Sequence, residues 1–321
     1  MEENKIDDKE LDSKFVFAET DYEESEKLAV EPYSYWKSVF RVFIHKKSAI
    51  VSIAIIAILI LMAIIVPFCF PSWYSEYNIL ASSPGGNLVD AAPSAKHIFG
   101  CDVLGRDLFV ILFKGIRVSL SLALVVSLIN AFFGILIGMI WGYFRKLDPI
   151  LIEVYNFFGN IPSLLLYMLL LTILNQVGAN IWVSFIFVLT ITGWLDMARF
   201  IRNQIIIIND REYNLASKTL GTPAFRIITH NLLPFILPVI ITNVSLAIPS
   251  AISAETSLSY FGVGLKGTSI ALGPILTCGY QSWMSHPWEL LWPTVILGLI
   301  TISFYLLGLA LSDALDPRSH R

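Results

Sequence analysis

Two short motifs in this sequence match nucleotide-binding patterns, but neither has the context that such chemistry requires. Gly262, Gly264 and Gly267 satisfy the pattern G-x-G-x-x-G, which binds a dinucleotide only between a strand and a helix of a βαβ unit. Here Gly262 instead comes shortly after a long apolar stretch, and no βαβ pattern surrounds it. Lys266-Gly267-Thr268 also fails as a phosphate-binding loop, because that loop needs Gly-Lys-Ser/Thr in order. The sequence therefore predicts no catalytic residue, no ATPase motif and no cofactor bound by this chain.

Side chains that commonly bind metals or act as nucleophiles are dispersed along the chain. His97, His230 and His286 are too far apart in the sequence to indicate a zinc site. The three cysteines form no C-x-x-C pair. No serine, histidine and acid are placed so as to predict a hydrolase triad. The sequence therefore disfavours both a metal site and an intramembrane hydrolase.

The composition indicates what surrounds the chain. Of 321 residues, 55% are hydrophobic and only 15% are charged, and the mean hydropathy is +0.69. Soluble globular proteins carry about 25% charged residues. So few charges cannot cover a water-facing surface of this size, so the sequence predicts an integral membrane protein.

Six apolar stretches approach the length of about 20 residues that a helix needs to cross a bilayer. They are residues 48–70, 118–144, 150–174, 181–198, 232–252 and 290–311. Lys and Arg are more numerous at the predicted inner ends than at the outer ends, which favours both termini in the cytoplasm. Lys114 and Arg117, beside the second stretch, are exceptions. We therefore predict an all-α fold with six transmembrane helices, N-in and C-in.

The remaining segments are assigned from charge and periodicity. Residues 1–31 are rich in acids and poor in aromatic residues, which is typical of a disordered cytoplasmic tail. Residues 32–47 carry aromatic side chains at helical spacing and predict an interfacial amphipathic helix, although a simple positive flank explains them equally well. The other boundaries are a first transmembrane helix at 48–70, an extracytoplasmic segment at 71–117, a core of five transmembrane helices at 118–311 with an inner loop at 199–231, and a cytoplasmic tail at 312–321.

The inner loop reads as two short helices joined by a glycine. Asn209 or Asp210 is placed to cap the first helix, and Gly221 to end it in the left-handed conformation. Thr222 is then expected to cap a second helix that begins with Pro223. Such a unit fits the groove of another protein, while packing on its own membrane domain is the alternative.

This loop resembles the cytoplasmic signature of bacterial ABC-importer permeases: Glu-Ala-Ala, a glycine four residues later, and Leu-Pro beyond it. Leu215-Ala216-Ser217, Gly221 and Leu233-Pro234 occupy those places. Leu215 replaces the acid, and Asn231 stands where the general pattern has Ile. Glu212-Tyr213 matches the Glu-Tyr that typically precedes the signature in the oligopeptide/dipeptide branch.

Three further blocks are similar to that branch. Residues 97–107 resemble His-x-x-Gly-Thr-Asp-x-x-Gly-Arg-Asp, with Cys101 in place of Thr, and residues 255–264 and 313–318 match two more blocks. The chain after Pro32 is thus identified as a member of the C-type permease subunits of oligopeptide/dipeptide importers.

The resemblance implies a pore-forming subunit of the type I importer fold in a bacterial cytoplasmic membrane, which moves short peptides and has no catalysis of its own. The implied partners are a second homologous permease, two cytoplasmic ATPase subunits that use ATP and Mg²⁺, an extracytoplasmic peptide-binding protein and the lipid bilayer; nucleic acid is not among them. A same-branch importer of nickel or another small ligand and an ion-coupled secondary carrier are the alternatives.

The resemblance also implies roles for particular residues. The loop expected to couple to the ATPases comprises Glu212, Tyr213, Leu215, Ala216, Ser217, Leu220, Gly221, Thr222, Pro223, Leu233 and Pro234. Asp102, Gly105, Arg106 and Asp107 are expected to contact the binding protein. The candidates for lining the pore are Asn156, Asn160, Asn243 and Glu255, although the asparagines are favoured more as packing residues.

Gly134, Gly138 and Gly142 recur every four residues in the second stretch. Small residues at this spacing let helix backbones approach closely. We expect them to pack inside the chain, with contact to a partner permease as the alternative.

Overall fold

The computed structural model describes residues 35–78, 80, 82–83, 85–265 and 270–315. The predicted acidic tail and the last six residues lie outside this range, as do Lys266, Gly267 and Thr268 of the two nucleotide-binding patterns. The described residues form helices and no strand, in agreement with the predicted all-α class. The helices are α1 (Tyr35–His45), α2 (Lys47–Cys69), α3 (Leu108–Tyr143), α4 (Asp148–Gly159), α5 (Ser163–Gln176), α6 (Ile181–Ile191), α7 (Gly193–Asn209), α8 (Glu212–Thr219), α9 (Ala224–Arg226), α10 (Leu233–Tyr260), α11 (Leu272–Ser282) and α12 (Trp288–Leu315).

Five helical runs among these residues are long and apolar enough to cross a membrane. They are Lys47–Cys69, Leu108–Tyr143, Ile181–Asn209, Ala224–Tyr260 and Trp288–Leu315. A sixth candidate, Arg145–Gly159 with Ser163–Gln176, is bent by 80° at the break between its halves. The count is therefore five, or six if the bent pair is one crossing.

The first predicted span agrees with α2 to within one residue, but the second was predicted too short. Helix α3 begins at Leu108, ten residues before the predicted start, because the Asp107 carboxylate accepts a hydrogen bond from the Val110 backbone N–H (3.1 Å) and caps the helix. Lys114 lies inside this helix and its Nζ donates to Ser75 Oγ (2.5 Å). The predicted segment 71–117 therefore ends at residue 107.

The third predicted span, residues 150–174, is not one continuous helix. Helix α4 ends at Gly159 and α5 begins after Pro162, which has φ −56° and ψ 113°. Proline disfavours helical conformation in the residue before it, so the chain turns at this point. The fourth span, predicted to end near residue 198, continues through α7 to Asn209.

The fifth predicted span is longer than expected because the short second helix of the loop runs directly into it. A π-helical segment, Ile227–Leu232, joins α9 to α10. Pro234 follows at the start of α10, and the wider π turn before it accommodates a residue that has no N–H. Ala224–Tyr260 is thus one run.

Helices α3 and α7 pack closely along the glycine stripe. A Cβ added at Gly134 would lie 2.6 Å from Met197 Cβ, and one at Gly138 would lie 2.7 Å from the Ala198 carbonyl oxygen. Gly142 meets Ile205 in the same way. The expectation that these glycines pack inside the chain is confirmed.

An ion pair shows which helix ends lie at the same end of the bundle. Lys46 Nζ, just before α2, lies 2.7 Å from Asp313 Oδ2 near the end of α12. Aromatic contacts mark the opposite ends: the rings of Phe70 and Phe109 are 5.9 Å apart, and Phe99 stacks on Trp292 at 4.2 Å. The loop 71–107 therefore lies at the end of the bundle opposite to the Lys46–Asp313 pair.

Candidate functional site

The loop predicted to dock on a partner is built on helix α8 and the turn after it. Gly221 has φ +77°, and two hydrogen bonds close the turn, from Gly221 N to Lys218 O (3.0 Å) and from Thr222 N to Ser217 O (3.1 Å). This pair of bonds is the Schellman motif, which satisfies the last carbonyls of a helix. The position predicted for Gly221 thus has the left-handed backbone that glycine provides.

The capping predictions for this loop were wrong in detail. Arg211, not Asn209 or Asp210, precedes α8, and its side chain makes no capping bond. Asp210 instead pairs with Arg145 (2.6 Å). Pro223 is extended (ψ 146°) and stands before α9, so it is the residue preceding the helix and not its first residue.

Two asparagines fasten α8 to its neighbours, and sequence reasoning missed this. Asn214 is completely buried and donates from Nδ2 to the Ile208 carbonyl oxygen (2.8 Å). Asn231 Nδ2 donates to Asn214 Oδ1 (3.1 Å). Asn231 had been noted only as a departure from the family pattern, and its polar partner shows why an amide occupies that position. The two amides tie α8 to both flanking helices.

Four large hydrophobic side chains are exposed on the outward side of the loop. Leu220 is 85% exposed and Phe225 is 78% exposed, and Tyr213 and Leu215 are also exposed. Burying such side chains in a partner would be favourable by about 25 cal/mol per Å² of apolar surface. The loop therefore combines exposed hydrophobic side chains with two asparagines that hold it to the neighbouring helices.

The second predicted site, residues 102–107, has its two acids turned inward. Asp102 is 1% exposed and accepts bonds from the Arg106 side chain (2.6 Å) and from the Leu104 and Arg106 backbone N–H groups. Asp107 is equally buried; besides capping α3, it bonds to His97 Nδ1 (2.7 Å). Gly105 has φ +69°, and a Cβ there would meet the Asn78 backbone. The acids therefore shape the loop, and their carboxylates do not face outward.

Cys101, which stands in the place of the family threonine, is buried beside these acids. Burial and the neighbouring Asp107 and Asp102 carboxylates raise the pKa of the Cys101 thiol to about 12. The thiol is therefore protonated near neutral pH, and a protonated thiol is a poor nucleophile.

A labelling experiment tests this environment. In a chain with Cys69 and Cys278 replaced by serine, we expect maleimide to modify Cys101 at pH 7.5 at least ~100-fold more slowly in the native protein than after denaturation in detergent. The denatured sample of the same chain shows that the reagent is active. Equal rates for Cys101 in the native and denatured states would contradict the buried placement.

A cavity of about 330 Å³, lined mostly by apolar side chains with a few polar ones among them, lies among α3, α5, α6, α7 and α10. Its lining includes Asn243, which was predicted to face a pore, together with Asn130 and Asp196. Asn130 Oδ1 is buried without a hydrogen-bond partner among the described residues. Asp196 accepts from Tyr155 OH (3.1 Å) and also borders a second cavity of about 350 Å³ beside the bent pair.

The other residues predicted to line a pore lie elsewhere. Asn156 and Asn160 are exposed at the end of α4 and border neither of these cavities. Glu255 is 1% exposed and accepts hydrogen bonds from Ser119 Oγ (3.0 Å) and Ser259 Oγ (3.1 Å). Within this chain Glu255 therefore links α10 to α3.

These features define a polytopic helical membrane protein with an exposed, glycine-closed loop between two of its long helices and a cavity within the bundle. Residues 134–321 match the family described as "Binding-protein-dependent transport system inner membrane component", and residues 34–88 match "N-terminal TM domain of oligopeptide transport permease C". The chain belongs to this family of transport-system membrane components.

Named relatives match over nearly their whole length. The chain is 37% identical to "Oligopeptide transport system permease protein AmiD" of Streptococcus pneumoniae over 96% of its own length and 98% of the relative's. It is 33% identical to the oligopeptide permease protein OppC of Bacillus subtilis, covering 92% of the chain and 93% of the relative. Identity to the dipeptide permease protein DppC of the same species is 34%, over 97% and 94%.

Proposed function

We propose that this chain is the permease subunit of an ATP-driven, binding-protein-dependent importer of short peptides, and forms half of its translocation pore in a bacterial cytoplasmic membrane. Family membership and the names of the relatives support this role. The observation that carries it is the exposed, anchored α8–Gly221 loop, because a carrier that works alone has no use for a rigid apolar docking surface.

The bent pair counts as one crossing in this proposal, which makes six. Arg202 of α7 pairs with Asp148 at the start of α4 (2.7 Å), while Tyr167 of α5 bonds to Thr192 before α7 (2.9 Å). The start of α4 therefore lies beside the later part of α7, and α5 lies beside the start of α7. The pair α4–α5 runs antiparallel to α7. An even number of crossings agrees with the Lys46–Asp313 pair and with both termini in the cytoplasm.

Coupling to two ATPase subunits would run through helix α8. The exposed Tyr213, Leu215 and Leu220 would enter a groove on the ATPase, and the buried Asn214 and Asn231 would pass its movement to the helices on either side. Motion of docked domains then becomes a rigid-body rotation of the pore halves. ATP and Mg²⁺ would be held by the partner chains.

The substrate path would combine surfaces of two homologous permeases. The cavity with Asn130, Asp196 and Asn243 provides polar groups that suit a peptide backbone. Asn156 and Asn160 are exposed on this chain and would reach the path only in the assembled pair, whereas Glu255 has an internal packing role. The loop held by Asp102 and Asp107 would face the peptide-binding protein with its outer surface.

Co-purification tests the proposal. After gentle solubilisation, the tagged chain should bring with it a second permease and two ATPase subunits with Walker motifs, and the complex should import peptide only with ATP and a binding protein. A chain with Leu220 and Phe225 both replaced by serine should retain the second permease but lose the ATPases. Recovery of a homo-oligomer that transports without ATP would replace the proposal with an ion-coupled carrier.

A further inference from the structure

Three acidic or imidazole side chains from separate parts of the loop face of the bundle converge at one place. Asp90 comes from the loop 71–107, His286 from the turn after α11, and Glu289 from the first turn of α12. One ligand atom from each lies within 4.8 Å of the other two. His286 Nδ1 is 3.7 Å from Asp90 Oδ2 and 3.9 Å from Glu289 Oε1. We propose that Asp90, His286 and Glu289 bind a divalent metal ion of the zinc type.

Unpartnered oxygens point to an ion at this place. Glu289 is 1% exposed, and its Oε1 is buried without a hydrogen bond. Asp90 Oδ1 is likewise buried and unpaired. Buried carboxylate oxygens are normally hydrogen-bonded or bound to a cation. Among the residues that the structure describes, His286 is the one basic side chain within 4 Å of either acid.

The distances from His286 to the two acids are too long for direct hydrogen bonds and suit ligands that share an ion. Separations of 3.7 and 3.9 Å exceed the length of a hydrogen bond. Two ligands about 2.1 Å from a zinc ion at a tetrahedral angle lie about 3.4 Å apart. If the two carboxylates shared a proton instead, His286 Nδ1 would still be too far from both of them to form a hydrogen bond. A small movement of the side chains toward an ion satisfies all three groups.

The surroundings hold the ligands in place. Ser282 Oγ donates to Glu289 Oε2 (2.5 Å), so the other oxygen of that carboxylate is turned toward His286. Gly279 of α11 lies directly against the Glu289 carbonyl, where a Cβ would not fit. Asp90 has φ +53°, the one positive φ outside glycine among the described residues. Such a conformation costs energy in most residues and often marks a functional position.

The ligand set indicates the class of metal. One imidazole and two carboxylates suit zinc and similar divalent transition ions, whereas Mg²⁺ and Ca²⁺ prefer oxygen ligands alone. Three protein ligands leave a coordination position for water. The ion would tie the loop 71–107 to the start of α12. The sequence disfavours a metal site because the histidines are far apart. The proposed site needs only one histidine, His286, and its acids come from the loop 71–107 and from α12.

Zinc binding to the full-length chain in lipid nanodiscs tests the site, with a Strep-tag so that no added histidines compete. Cys101→Thr is used as the background, which removes the thiol of the nearby His97–Cys101–Asp107 cluster. We expect one Zn²⁺ per chain by titration calorimetry. Binding should weaken at least ~10-fold in Glu289→Gln and in Asp90→Asn, and the latter variant keeps a residue that tolerates positive φ.

His230→Gln is the matched control, because it removes a histidine on the docking loop and should bind zinc like the background chain. Zn²⁺, but not Ca²⁺, should also raise the thermal midpoint of the background chain. Failure of the background chain to bind zinc would overturn the proposal and leave a shared proton between the acids. Unchanged affinity in both acid variants would overturn it as well.

Discussion

Replacing Gly221 with valine is expected to reduce peptide import at least ~10-fold while the protein still inserts and assembles. Gly221 has φ +77° and closes the Schellman turn of the docking loop. A left-handed backbone costs a non-glycine residue about 1–2 kcal/mol, and more when it is β-branched. The turn would open and the exposed Leu220 would shift, so ATP hydrolysis would no longer drive transport. Uptake and ATPase rates in proteoliposomes measure both quantities.

Gly178 provides a matched control for this experiment. It has the same φ of +77° and, like Gly221, no atom within 4 Å of an added Cβ, but it lies between α5 and α6 and far along the chain from the docking loop. Gly178→Val should carry a similar backbone strain without uncoupling transport. Gly221→Asn should retain most activity, because Asn tolerates positive φ. Wild-type uptake by Gly221→Val at normal protein levels would remove the argument for this turn.

Replacing Gly138 with valine is expected to have the largest effect on folding. An added Cβ there would lie 2.7 Å from the Ala198 carbonyl oxygen and 2.8 Å from Ile201 Cβ. Those atoms belong to the interior of α7 and cannot rotate away, so α3 and α7 must separate. Overpacking of this kind typically costs about 1–3 kcal/mol, and a second methyl group adds to it. The thermal midpoint in detergent and the amount of membrane-inserted protein measure the loss.

Gly298 offers the comparison. It lies inside α12, where an added Cβ meets nothing within 4 Å. Gly298→Val in the same assay should leave the midpoint within a few degrees of the parent chain. If the Gly138 variant were as stable as the Gly298 variant, close packing of α3 on α7 would not be needed for the fold.

Features carried by local sequence were predicted well. Apolar runs of span length are visible in any window, so the all-helical class and the position of α2 followed from hydropathy. Gly221 was placed correctly because the need for a left-handed residue after a helix is a local requirement. The family-like blocks were readable for the same reason, since their residues lie within a dozen positions of one another.

Helix ends were predicted less accurately, because capping and packing compete with hydropathy there. Lys114 looked like a flanking charge, yet its partner Ser75 and the Asp107 cap place it inside α3. Pro162 was read as part of one apolar stretch, although its restriction of the preceding residue breaks the helix. Pro234, by contrast, was absorbed by a π turn.

The sequence by itself determined that this chain enters a membrane as a helical bundle and carries a loop that is closed by a left-handed glycine. Only the tertiary structure decided which polar side chains are available for function. Asp102 and Asp107 point inward, Glu255 bonds to Ser119 across 136 residues of chain, and Asp90 meets Glu289. These outcomes depend on contacts between distant segments, which no local pattern of hydropathy or propensity encodes, because burial and pairing exist only once the helices have packed.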